Sequence, residues 1–203
     1  MIKEEEQSKT EKLILEAAKR VFIRKGYDGA RMQEIADEAG INKALLHYYF
    51  RNKDTLFDSI FLNAFASFIP NIGATIMSDK QFEEKLKTII DTYIDMLIAN
   101  PFLPSFVLQE INRNPNRIID ILHGWGINPK LFKDVFIREL GDKSKKIKPE
   151  HLIFNIISMC VFPFVAKPII SGFVFDNDEE KFTEFINERK QVIYETIVKS
   201  LEV

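Results

Sequence analysis

Residues 30–53, ARMQEIADEAGINKALLHYYFRNK, leave this chain little freedom of local fold. Met32, Ile35, Ala36 and Ala39 recur at helical spacing, so a short helix presents one apolar face. Gly40 ends it, because glycine enters the left-handed region at a helix C-terminus without steric cost. Ile41 follows as an apolar plug, and Asn42 is suited to cap the next helix. That second helix turns Leu46, Tyr49 and Phe50 inward and leaves Lys43, Ala44, Leu45, His47 and Tyr48 outward. Two short helices joined by a tight glycine turn, with donors and an aromatic on the outer face of the second, form a helix-turn-helix. An ordinary core hairpin would give Lys43, His47 and Tyr48 no internal role.

Around this motif the order of residues resembles a known pattern. Gly26-Tyr27, Ile35-Ala36, Ala39-Gly40-Ile41-Asn42-Lys43, Tyr49-Phe50, Asn52-Lys53 and Leu56-Phe57 are similar to the DNA-binding domain of the tetracycline-repressor (TetR) family. The resemblance covers about residues 8–60. It implies that Lys43, Ala44, Leu45, His47, Tyr48 and Lys53 lie at the DNA. Three positions depart from the family pattern: Ala30 replaces a helix-opening threonine, Leu45 a small or polar residue, and His47 a tyrosine. Base preference therefore does not transfer from the relatives.

Charge supports this division of the chain. The whole carries −2, but residues 8–53 hold ten basic against six acidic side chains. A basic footprint confined to one domain suffices for phosphate contact. Phosphate contact is expected from Lys43, His47, Tyr48, Lys53, Arg31 and Lys9. For base contact, Lys43 can donate to guanine, and Ala44 or Leu45 can pack on a thymine methyl. The partner is double-stranded DNA carrying a pseudo-palindromic operator.

The expected fold is all-α, with a three-helix DNA-binding domain over 1–52 and a helical ligand-sensing and dimerisation domain over 53–203. Residues 1–8 read as a frayed polar arm. The first helix starts at Lys9 or Thr10, and Leu13, Ala17, Val21, Ile35, Leu46 and Phe50 form the small core. A helix from Lys53 to about Ile69 links the domains, and 70–77 reads as a loop. Ser78 with Gln81 resembles a capping box for the helix that ends at Asn100-Pro101. Shorter helices follow to Gly141, and Lys143–Lys148 is a solvated basic loop. The run LIFNIISMCVFPFVAKPIISGFVF is long enough for a membrane span, but Pro163, Lys167, Pro168, Asn155 and Gly172 favour a helix buried within protein. Asn177 caps the final helix, whose stripe of Phe185, Ile186, Val192, Ile193 and Ile197 is expected to pair with a second copy in a homodimer.

Eighteen phenylalanines, most of them beyond residue 56, read ring by ring as core packing or, spread over several proline-broken helices, as walls of a cavity for a lipophilic effector. Its candidate walls are Phe65, Phe68, Tyr93, Phe102, Phe106, Gln109, Trp125, Asn155, Met159 and Phe162. The three histidines have no partners at metal spacing, so neither metal nor cofactor is expected. No phosphate loop or nucleophile elbow is present, and Cys160, the one cysteine, lies in an apolar run, so catalysis is not expected. The charged opening MIKEEEQSK does not resemble a secretory signal and fits a bacterial cytoplasm.

Overall fold

The computed structural model describes residues 2–66, 68–141 and 147–202, and no strand occurs among them. Three helices open the chain: α1 (Ile2–Gly29), α2 (Met32–Glu38) and α3 (Lys43–Tyr49). Helix α4 (Lys53–Phe65) leaves this unit, and α5 (Phe68–Met77) and α6 (Phe82–Ala99) follow. Next come α7 (Leu103–Arg113), α8 (Pro115–Gly124), α9 (Pro129–Leu140) and α10 (Pro149–Val165). The short α11 (Lys167–Ile169) runs into a π-helical turn (Ile170–Val174), and α12 (Glu179–Glu202) closes the described chain.

Helix α1 begins at Ile2, two turns before the expected start, so the first residues are not an unstructured arm. Acidic sequence at a helix N-terminus is favourable, because it meets the positive end of the helix dipole. At Gly26 the backbone takes φ 67°, which breaks the helical path and brings Tyr27 back onto the Phe22 ring at 6.0 Å. The inward stripe of α1 is Ile14, Ala17, Ala18, Val21 and Phe22, all fully buried. Leu13, expected in this core, is 48% exposed; the helix is rolled so that Ile14 takes its place.

The segment 70–77, expected as a loop, is helical in α5. Pro70 stands in its first turn, where the missing N–H has no helical acceptor to lose. Ser78 closes α5 by donating its hydroxyl to the Thr75 carbonyl at 2.7 Å, so the expected capping box is absent and Gln81 is the N-cap of α6. The last helix is capped one residue later than expected. Asp178 Oδ1 accepts from the N–H groups of Glu180 and Lys181 at 3.0 and 3.1 Å. The basic loop reading falls mainly on 142–146, outside the described residues.

Two apolar cores result. The first joins Ile14, Phe22, Ile35, Leu46 and Phe50 to Leu56, Phe57, Ile60 and Phe61 of α4, and to Phe106 of α7. The second packs α6, α10 and α12 together through Leu86, Ile90, Ile94, Leu152, Ile156, Cys160, Ile186, Ile193 and Ile197. Phe65, at the end of α4, touches both. Burial pushes the Cys160 thiol up to about 12, so it is an inert member of the core. Among the described residues no single helix is long and apolar enough to cross a membrane. The long apolar run divides into α10 and the bent α11 segment, with Leu152, Ile156, Cys160 and Phe164 buried inside the protein.

Candidate nucleic-acid interface

The turn between α2 and α3 is built as its residues dictate. Gly40 sits at φ 66°, which lets Ile41 donate back to the Ala36 carbonyl at 3.0 Å. The Asn42 side chain accepts from the Leu45 N–H at 2.8 Å and so caps α3. Leu46 and Phe50 anchor α3 in the first core, while Lys43, Ala44, Leu45, His47 and Tyr48 are all exposed. Tyr48 stands edge-on to Tyr49 at 5.4 Å between ring centres, which supports its outward pose. The open face is therefore a sparse set: one cation, two small or apolar side chains, an imidazole and a phenol.

Most basic residues nearby are committed within the protein. Arg20 and Arg24 both bond Glu38, at 2.7 and 2.8 Å, and Arg24 and Arg20 hold its carboxyl below the usual range. Lys25 bonds Glu34 and depresses that carboxyl likewise. These pairs tie α1 to α2, which fixes where α3 projects. Among the described residues Lys43 and Arg51 form no ion pair and are exposed, so they remain available to phosphate; Arg31 is exposed too, with its charge acting on Glu34. Arg51 was not singled out in the sequence, although its position just past the recognition helix could have suggested it.

Lys53, expected as a phosphate contact, is spent differently. Its Nζ donates to the carbonyls of Tyr27 and Ala30 at 2.7 and 3.1 Å and lies 4.4 Å from the Tyr27 ring centre. It clamps the loop between α1 and α2 onto the start of α4. Ala30 is buried there. His47, also expected at phosphate, bonds the Arg51 carbonyl through Nδ1 at 3.0 Å.

Tyr27 is also the centre of a charged knot between the two parts of the chain. Its hydroxyl donates to Asp54 at 2.6 Å, and the Arg113 guanidinium lies 3.8 Å from its ring centre. Arg113 is held by two bonds to Glu110, a carboxylate almost wholly buried. From α8, Arg117 bonds Asp58 at 2.8 Å, the Asp54 carboxylate at 3.0 Å and the Asp54 carbonyl at 2.8 Å. The Tyr27 bond, and then the charges of Arg117 and Arg113, keep the Asp54 carboxyl low. Burial, then the bond to Asp54, raises the Tyr27 phenol. The DNA-binding unit is thus fastened to α7 and α8 as well as continued by α4.

The model of the family described as bacterial regulatory proteins, tetR family, matches residues 14–60, from the middle of α1 into α4. Over that span the chain matches the TetR family, and the relatives and solved structures it resembles are TetR-family regulators. It is a DNA-binding transcriptional regulator. It is 23% identical over 178 residues to "Probable HTH-type transcriptional regulator YttP" of Bacillus subtilis, covering 85% of this chain and 86% of that one. It is 26% identical over 116 residues to the fatty acid metabolism regulator protein of Bacillus subtilis, covering 55% and 60%. Of solved structures, HlyIIR, a hemolysin II transcriptional regulator, superposes with a TM-score of 0.61 at 26% identity, over 89% of this chain and 97% of that one.

The expected effector residues do not form one site. Phe65 meets Phe68 at 5.9 Å and Trp125 at 5.2 Å, and Phe68 meets Tyr93 at 5.1 Å, an aromatic run with Met159 packed on the same core. Burial raises the Tyr93 phenol well above its usual value, so it stays protonated. Phe106 belongs instead to the first core, stacked on Phe57 at 4.2 Å, and Phe102 packs edge-on against it at 6.1 Å. Gln109, Asn155 and Phe162 are exposed, Phe162 by 65%, and cannot line an interior cavity of the protomer. Periodicity shows that a helix has an apolar stripe and does not show which neighbour covers it.

The expected dimer stripe is corrected for the same reason. Ile186, Ile193 and Ile197 are buried in their own protomer against α6 and α10, and Phe185 is half-buried against Phe175 and Phe182. Only Val192 of that set is exposed. Open apolar surface lies on α10 at Phe154, Ile157 and Phe162, spaced to share one helical face.

Proposed function

We propose that this protein is a dimeric repressor that holds a pseudo-palindromic operator until a small lipophilic molecule binds its helical second domain. The observation that carries the reading is the open face of α3. Five consecutive-turn side chains are exposed while Leu46 and Phe50 lock the helix from behind. The outer face of α10 supplies a surface for a second copy, with Phe154, Ile157 and Phe162 at its centre. Two recognition helices would then engage half-sites centred roughly 34–36 Å apart, or a multiple of that spacing.

The effector is assigned to the aromatic run Trp125–Phe65–Phe68–Tyr93, which offers apolar walls and one hydroxyl. Phe65 ends α4, so a molecule pressing on it acts on the helix that starts beside α3. Release needs a coupling of only about 1–3 kcal/mol, a 5–150-fold loss of operator affinity, and DNA must weaken the effector by the same factor. The relative named a fatty acid metabolism regulator makes fatty-acyl compounds the first class to test. A protein that acts on the chromosome in this way acts in the bacterial cytoplasm.

The test is selection of bound DNA from a random pool, followed by thermal-shift screening of fatty acids and their thioesters. A palindromic consensus and stabilising compounds that release it are expected. A pool with no enriched sequence would overturn the DNA-binding reading. Stabilisers that bind free and DNA-bound protein equally would overturn the inducer reading.

A further inference from the structure

The recognition helix of this protein carries a histidine whose proton is already placed. His47 Nδ1 lies 3.0 Å from the Arg51 carbonyl oxygen, which is an acceptor and nothing else. Nδ1 must therefore carry the hydrogen. A neutral imidazole has one N–H, so Nε2 is left as a bare acceptor, and among the described residues no other group bonds this ring. The side chain is exposed on the open face of α3, one turn beyond Lys43 and three residues beyond Ala44. Ala44 carries only a methyl group, so the helix can seat close to the floor of a groove there.

An acceptor is the wrong group for a phosphate, whose oxygens also only accept. In the major groove the available donors are the exocyclic amino groups, N6 of adenine and N4 of cytosine. Guanine O6 and thymine O4 would place acceptor against acceptor. We infer that His47 is a base-reading residue, accepting through Nε2 a hydrogen bond from an exocyclic amino group at one position in each half-site. Because Arg51 supplies the orienting carbonyl, the reading group is a unit of side chain and helix end. This inference rests on the DNA-binding reading above and adds to it the chemistry of one specificity determinant.

The experiment uses the full chain and its selected operator at about pH 8. Operator positions are replaced one pair at a time by purine in place of adenine, or 2-pyrimidinone in place of cytosine, each lacking the amino group. At one symmetric position the wild type should lose about 3- to 10-fold in affinity, as for one hydrogen bond; which analogue does so tells adenine from cytosine. His47→Phe should bind the unmodified operator weaker by that factor and be indifferent to the analogue at that position alone. His47→Gln, which keeps an acceptor, should restore part of the sensitivity, and both variants should melt as the wild type does. A His47→Phe loss that is equal for all sequences, with a salt slope reduced by about one, would overturn the inference in favour of a phosphate contact. Absence of any position whose analogue effect depends on residue 47 would overturn it as well. If the wild type itself selected no sequence, the DNA-binding reading would fail first, and that outcome is read before any variant is made.

Discussion

At Lys53 one side chain decides whether a loop is held or a phosphate is touched. Its two carbonyl bonds join Tyr27 and Ala30 to the start of α4. Lys53→Met should cost about 1 kcal/mol, the usual net value of such bonds, and lower the melting temperature by about 2–4 °C. Operator affinity should fall for all sequences alike. An unchanged melting temperature with a flatter salt slope would instead mark Lys53 as a phosphate contact only. Its neighbour Asp54 gives a pH signature. The Tyr27 hydroxyl and the nearby arginines depress its folded pKa, so its contribution is present above the unfolded value and is lost as pH falls through the folded one. The stability gap between wild type and Asp54→Asn should therefore be steady near neutrality and close below about pH 4. Unfolding curves over that range check it; a gap that widened in acid would refute the assignment.

At the scale of elements, α4 and the α7–α8 corner form two parallel connections between the domains. Helix α4 is continuous from Lys53 to Phe65 and contributes to both cores. The corner grips it from the side, where Arg117 spans Asp54 and Asp58 with its guanidinium 4.5 Å from the Phe57 ring centre. Switching between two discrete arrangements of packed elements commonly repacks the ion pairs at their interface. Operator binding should accordingly slow hydrogen exchange in residues 115–124, far from the DNA, and Arg117→Met should remove most of that protection. The variant keeps the α3 face intact, so it should still bind the selected operator. Equal protection in both proteins would show that α4 carries the coupling alone.

For the whole molecule, the two candidate faces of the second domain make opposite predictions. Ile193 is fully buried within the protomer, between α12 and its neighbours. A charge there has no partner, so Ile193→Glu should unfold the chain or lower its stability by several kcal/mol, on the order of 3–5. Phe162 is on the outside, and Phe162→Glu should leave folding intact and yield monomers in sedimentation. Those monomers should bind operator weakly, because one half-site offers half the phosphate contacts. A folded dimer of Phe162→Glu would move the interface elsewhere.

The sequence by itself determined the local elements of the DNA-binding unit. Gly40 and Asn42 act within a few residues of themselves, so the turn, the cap and the outward set on α3 needed no tertiary information. The exposed surface of the recognition helix was legible for the same reason, since Leu46 and Phe50 occupy the inward positions, with Tyr49 half-buried beside them. Tertiary structure decided everything that depends on a second element. It rolled α1 to exchange Leu13 for Ile14, turned α12 so that Ile186, Ile193 and Ile197 met α6 and α10, and drew Phe106 into the first core. It also brought Tyr27, Asp54 and Arg117 together from positions up to 90 residues apart. A helical stripe records that a side will be covered, because burial of apolar surface is favourable whatever covers it. Which surface does so is set by how all the helices pack at once, and that is a property of the assembled fold.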